Sequence, residues 1–191
     1  MLAFFTSFLL SLLAWTLLEY GIHAGLGHLR HGRLLVTSEH RKHHKDILYF
    51  TPLPLKIRGA LPVLLALLAV VGGAGGLAAG LGSVIAVALG WSTYEVLHQF
   101  IHVKGPQGPY TRWAARHHLS HHFGHPRANF GVTTSLWDHV FRTYQSVPQV
   151  RVPAHRLSDL PWLAVERQGQ GPARPHAADY QLTAPGEAIA A

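Results

Sequence analysis

The chain has 191 residues, 48% of them hydrophobic and gathered in blocks, a formal net charge of +7 and no cysteine. Without cysteine there are no disulfides, thiolate zinc sites, iron–sulfur clusters or cysteine nucleophiles, so any metal must rest on histidine, carboxylate or water. The positive charge does not call for a nucleic-acid partner: all 16 Lys and Arg residues fall between Arg30 and Arg58 or from Lys104 onward, the pattern of cytoplasmic segments flanking membrane helices.

Met1 to Leu18 carries no charge and meets the length criterion for a span. It lacks the basic start and small-residue cleavage site of a signal peptide, so a retained helix is expected from about Leu2 through His23. Glu19 and His23, four apart, share a face at its end. His28 lies five past His23 and rotates off that face unless the helix bulges near Gly25 or Gly27. A basic segment follows, on which His40, His43 and His44 point one way in a helix.

Thr51 to Leu55, ThrProLeuProLeu, is expected to break helical continuity. The uncharged run from Gly59 to Tyr94 is divided by glycines at Gly72 to Gly76. It is expected to form a hairpin with arms over about 57–71 and 77–102, the first short for a full span. Glu95, His98 and His102 project together from the end of the second arm. Gly105 to Pro109 terminates it, and ArgHisHisLeuSerHisHis at Arg116 to His122, with His125 beyond, places five imidazoles within nine residues. Residues 1–150 are therefore expected to form one histidine-bearing membrane domain and 151–191 a largely mobile, Pro/Gly/Ala-rich tail without a core. The fold class is all-α: an integral membrane protein with about three membrane helices, one N-terminal and two in a hairpin, and a cytoplasmic helical cap carrying the histidines.

The chain contains a loose repeat. Glu19, His23, His28, His40, His43 and His44 form one half, and Glu95, His98, His102, His118, His121 and His122 the other. Two HxxHH motifs and five histidines in each half suggest a two-metal centre. His155 and His176, and also His31 and His139, read as ordinary surface imidazoles. A zinc protease would need HExxH, and a carboxylate di-iron bundle two ExxH motifs with further glutamates. An imidazole-rich site suits zinc, copper, iron or nickel. Glu19, Glu95 and Asp138 read either as acceptors that orient histidine N–H groups or as structural ion-pair partners.

GluTyrGlyIleHis at Glu19 to His23, with His28, HisArgLysHisHis, HisGlnPheIleHis and HisHisLeuSerHisHis, resembles the integral-membrane fatty acid hydroxylase superfamily. HisHisLeuSerHisHisPheGlyHis followed by AsnPheGlyValThrThrSerLeuTrpAsp, at Asn129 to Asp138, resembles the fatty acid 2-hydroxylases. The resemblance runs from about Trp15 to Tyr144. It implies metal ligands at His23, His28, His40, His43, His44, His98, His102, His118, His121 and His122. His117 and His125 are expected to support the site or line its pocket, and Trp137 and Asp138 to give structural support beside it.

The implied cofactors are two iron ions, with zinc able to enter recombinant material, and the co-substrate is O2. The implied substrate is a fatty acyl chain of a lipid. Eukaryotic members carry a fused cytochrome b5 domain that is not seen here, so a separate electron donor, cytochrome b5-like or ferredoxin-type, is expected. An additional membrane helix before the first one, and a longer loop between His28 and His40, are also not seen. The expected location is the bacterial inner membrane with the site on its cytoplasmic side. The rival readings are a sterol or carotenoid hydroxylase or desaturase of the same superfamily and, in another class, a histidine-rich metal-binding or transport protein.

Overall fold

The computed structural model describes residues 1–28, 33–169 and 176–184, so the reading of His31 falls outside the described residues. The chain forms two compact units, Met1–Arg41 with Phe50–Glu95, and Lys42–Tyr49 with the described residues from Val96 onward. Helix α1 is Leu2–Gly21, α2 Leu35–Lys45, α3 Leu53–Gly75 and α4 Leu77–Val103, of which α2 and α4 run from the first unit into the second. Among the described residues three helical segments, Leu2–Gly27, Leu53–Gly75 and Leu77–Val103, are long and apolar enough to cross a membrane.

The first hairpin arm is not short. Pro52 is the cap residue of α3 and Pro54 lies in its first turn, where a missing N–H breaks no helical hydrogen bond. ThrProLeuProLeu therefore starts the helix, and its 23 residues reach about 34 Å, enough for a hydrocarbon core of about 30 Å. Gly76, at φ +82°, makes the hairpin turn.

In the first unit α4 is the helix on which the others pack. Its most apolar window is 39% buried, against 11% for α1 and none for α3. Small residues permit the approach: a Cβ at Gly80 would meet Gly72 Cα at 2.9 Å, one at Gly82 would strike the Phe4 carbonyl, and one at Gly90 the Trp15 indole. The Ser7 hydroxyl donates to the Ala79 carbonyl at 2.8 Å. Close backbone contact of this kind is how helices associate where lipid removes the hydrophobic drive. The large apolar side chains left outside, among them Leu9, Leu13, Leu61, Leu65, Val70 and Ile85, suit a hydrocarbon surround.

In the second unit the end of α4 leads to α5, Pro109–Phe123, then α6, Leu136–Val140, β1, Val150–Pro153, α7, Pro161–Arg167, and β2, Tyr180–Thr183. Strands β1 and β2 pair in parallel. The expectation of a coreless tail does not hold for the described residues 151–169 and 176–184. Val152, Leu160, Leu163 and Tyr180 are fully buried. Trp162 packs edge-on to Tyr180 at 5.2 Å and fills the space over Gly105, which adopts φ +69°. Arg112 of α5 holds Asp179 through two hydrogen bonds of 2.6 and 2.7 Å. Few, large aromatic and charged contacts do here what a long apolar period would otherwise do, and a composition-based reading has no access to them.

The loop between α5 and α6 closes on two buried side chains, Asn129 and Asp138. The Asp138 carboxylate accepts from the Phe130 and Gly131 amides and the Thr143 hydroxyl, each at 2.8 Å, and from His117 Nε2 at 3.1 Å. Burial alone would raise its pKa, but these four donors together outweigh it and hold the carboxyl below its ordinary range.

Two outcomes follow. Trp162→Ala should cost about 3–5 kcal/mol, and an unchanged unfolding midpoint in detergent would show that the C-terminal segment is not part of the core. Because Asp138 binds its proton more weakly when folded than when unfolded, its contribution is fully present above about pH 4 and is lost as pH falls through the depressed folded value. Acid-unfolding curves of Asp138→Asn should consequently be flatter below pH ~4 than those of the parent, and equal slopes would refute this.

Candidate metal centre

Five imidazoles meet inside the second unit. His98 and His102 are one turn apart on α4, His118 and His122 one turn apart on α5, and His43 comes from the end of α2. One nitrogen from each lies within 4.8 Å of the others. His118 Nε2 is 3.0 Å from His102 Nε2 and 3.1 Å from His122 Nε2, while the His43 ring lies 4.5, 4.7 and 4.8 Å from those of His98, His102 and His122. All but His122 are buried.

Hydrogen bonds between the rings do not account for this convergence, since each neutral imidazole carries only one N–H. A shared cation does. With metal–nitrogen bonds of about 2.0–2.1 Å, adjacent ligand nitrogens sit about 3.0–3.4 Å apart.

Two of the rings, those of His43 and His122, are held in the neutral form that a ligand needs. Burial pushes His43 down to about 4, against the opposing pull of the Tyr49 carbonyl and Asp46. Burial, then the neighbouring rings of His118, His44, His43 and His102, holds His122 well below its usual value. His43 Nδ1 lies 3.0 Å from the Tyr49 carbonyl. A carbonyl only accepts, so Nδ1 carries the proton and Nε2 is left as the donor atom toward the cluster.

The remaining five histidines of the ten lie in two groups, each within one unit. In the first unit α1 widens into a π-helical turn over Ile22–Gly27, the bulge that the His23-to-His28 spacing requires. It brings the two rings to 5.6 Å with planes 27° apart. His40 of α2 joins them, its Nε2 3.0 Å from that of His28 and its ring 4.7 Å from that of His23. A Cβ on Gly27 would meet His40 Cδ2 at 2.9 Å, so the approach needs glycine there. Thr37 Oγ1 ties α2 to the same turn by donating to the Leu26 carbonyl at 2.7 Å. In the second unit His44 and His121 pair through their Nε2 atoms at 3.2 Å, and His121 Nδ1 donates to the Ala128 carbonyl at 2.9 Å.

The sequence repeat is thus interleaved. His43, from the first half, belongs with His98, His102, His118 and His122, while His121 of the second half belongs with His44. The expectation that His40, His43 and His44 point one way is corrected, because the 100° between successive helical residues sends His43 and His44 to different neighbours.

The supporting residues divide in the same way. His117 donates to Asp138 and stacks between Trp113 and Tyr144 at 5.2 and 5.7 Å. His125 lies in the turn after α5, outside both histidine groups. Glu19 is buried in α1. Glu95 is engaged by the Lys56 ammonium and, at 3.2 Å, by Trp91 Nε1. It therefore takes the ion-pair role, tying the start of α3 to α4, and does not orient a histidine. The sequence reading missed Asn129 and the carbonyls of Tyr49 and Ala128. A backbone acceptor leaves no mark in sequence, but an asparagine held at φ +58° is a residue type suited to that conformation.

Comparison with known proteins agrees with this geometry. The fatty acid hydroxylase family model matches residues 8–143. The chain is 33% identical over 154 residues to a fatty acid 2-hydroxylase of Macaca fascicularis, a match covering 71% of this chain and 38% of that protein. It is 31% identical over 142 residues to a dihydroceramide fatty acyl 2-hydroxylase of Arabidopsis thaliana, covering 71% and 59%. The solved structure of full-length Scs7p, in which only the hydroxylase domain is visible, superposes with a TM-score of 0.62 at 27% identity over 76% of this chain and 57% of that one. The chain therefore spans well under two thirds of the length of these relatives. With the histidine constellation, these likenesses lead to one conclusion: the chain belongs to the fatty acid hydroxylase family.

Proposed function

We propose that the protein is a membrane-bound, metal-dependent oxygenase that hydroxylates the acyl chain of a fatty acid or lipid. The observation that carries this reading is the pentad of converging imidazoles, His43, His98, His102, His118 and His122, in a chain of the fatty acid hydroxylase family. These five would hold one metal, and the remaining five histidines that the family resemblance implies as ligands would serve a second. A five-imidazole donor set exceeds the four ligands of an ordinary zinc site and suits iron.

Two bound irons would supply the activation of O2 needed to attack an unactivated C–H bond. The overall balance is one C–H bond, O2, two electrons and two protons giving one C–OH bond and water. The electrons come from a separate carrier, cytochrome b5-like or ferredoxin-type. The protein's part is positional. Tyr49 and Ala128 hold two rings in the tautomer with Nε2 unprotonated, burial excludes water, and helices with apolar outer faces let an acyl chain arrive from the bilayer. The likeness to 2-hydroxylases directs the reaction to the carbon next to the carboxyl or amide carbonyl. The confinement of Lys and Arg to the segments that carry the histidines supports a site on the cytoplasmic side, and the membrane we assign is the bacterial inner membrane.

Metal transport is the less suitable reading. The run from Gly59 to Tyr94 holds no charged residue, whereas a permeation path would place polar or ionisable groups inside the membrane.

His118→Ala and His121→Ala should each lower both bound iron and product by more than the about 10–100-fold expected for loss of an outer partner. The readouts are metal analysis of the purified protein and lipid mass spectrometry of expressing cells, searching for an acyl species heavier by one oxygen. Full activity in both variants would remove the ligand assignment. A product confined to sterols or carotenoids would move the substrate class, and metal uptake into vesicles without O2 consumption would favour transport.

A further inference from the structure

Asn129 is fully buried and sits at φ +58° immediately after Ala128, whose carbonyl receives His121 Nδ1 at 2.9 Å. Its side chain reaches in two directions. Nδ2 donates to Ser120 Oγ on α5 at 2.8 Å and to the Gln145 carbonyl at 3.1 Å, and Oδ1 accepts the Gln145 amide at 2.8 Å. Its own amide donates to the Thr143 carbonyl at 3.0 Å.

The orientation of this amide follows from its neighbours. The Ser120 hydroxyl spends its proton on the His117 carbonyl at 2.7 Å, so toward Asn129 it offers only lone pairs, and Nδ2 must face it. Asn129 therefore locks the 128–129 peptide to the last turn of the helix that carries His118, His121 and His122. That peptide bears the carbonyl that accepts from His121 Nδ1 and so sets the proton on that nitrogen.

The geometry points to Asn129 as a positioning residue for metal binding. By clamping the Ala128 carbonyl over Nδ1, it holds His121 in the tautomer whose Nε2 is unprotonated and able to act as a ligand. This rests on the proposed two-metal assignment, in which His121 and the pentad serve different ions. The pentad histidine His43 takes its orienting carbonyl from Tyr49, which makes no use of this clamp, so the two ions should respond differently to its loss.

Two variants keep the backbone conformation. Asn129→Gly adopts positive φ freely, and Asn129→Asp retains an acceptor for the Gln145 amide while opposing a carboxylate to Ser120 Oγ and the Gln145 carbonyl.

The test is cobalt(II) titration of the full-length protein in detergent, reading the number and affinity of bound ions and the hyperfine-shifted, solvent-exchangeable N–H signals of the ligand rings. The parent should take up two ions. In both variants the ion bound by His121 should weaken by about 10–100-fold, with loss of the exchangeable signal that His121→Ala also removes, while the other ion and its signals stay unchanged. Equal weakening of both ions would make Asn129 a general structural residue and overturn the inference, as would unchanged affinity and spectra. If Asn129→Gly does not fold, Asn129→Asp is read by the same criteria. A parent that binds fewer than two ions would instead overturn the two-metal reading.

Discussion

Imidazoles that converge nitrogen to nitrogen in a buried place impose a constraint that the rest of the second unit serves. Each ring brings one proton, so a cluster of five cannot satisfy itself by hydrogen bonding. Protonating the rings would crowd like charges into a medium of low polarity. A metal cation resolves both problems, and the architecture can be read as the means of keeping the rings neutral, dry and correctly turned until one binds. The convergence of His43, His98, His102, His118 and His122 comes from one-turn spacings on α4 and α5 combined with a single residue of α2. The carbonyls of Tyr49 and Ala128 then choose the nitrogen that each of His43 and His121 presents.

The first unit shows a different economy. Its helices approach through Gly72, Gly80, Gly82 and Gly90, because lipid offers no solvophobic reward for pairing apolar faces and close backbone contact must replace it. The ion pair of Lys56 with Glu95 joins α3 and α4 where the apolar stretches end. The π-helical turn at Ile22–Gly27 is the clearest case of geometry yielding to a site, since an unbroken α-helix would rotate His28 away from His23. A π-bulge at a functional position is a common use of this otherwise rare conformation.

The C-terminal segment illustrates where composition misleads. Pro, Gly and Ala are frequent after Val150, and no apolar period is visible, yet Trp162, Leu163 and Tyr180 are buried and Arg112 grips Asp179. Two short strands and one seven-residue helix need few apolar positions when each is large and fully used. The same limit explains Glu95. Its spacing from His98 places both on one face of a helix, but a cation from another helix, Lys56, is the partner it meets.

The sequence by itself determined the kind of protein: uncharged runs long enough to span a bilayer, cations confined to the connecting segments, no thiol, and ten histidines at helical spacings near the ends of those runs. These are properties of chain length, charge and periodicity, which act locally and are written in order. Only the tertiary structure decided which histidines keep company, because adjacent residues of a helix point about 100° apart and HxxHH therefore serves two groups. It also decided which carboxylates orient rings and which pair with cations, and it brought the backbone carbonyls of Tyr49 and Ala128 to His43 and His121 and the Asn129 side chain to Ser120 and Gln145. Those partners are distant in the chain or belong to the backbone, and neither distance nor a carbonyl has a letter in the sequence.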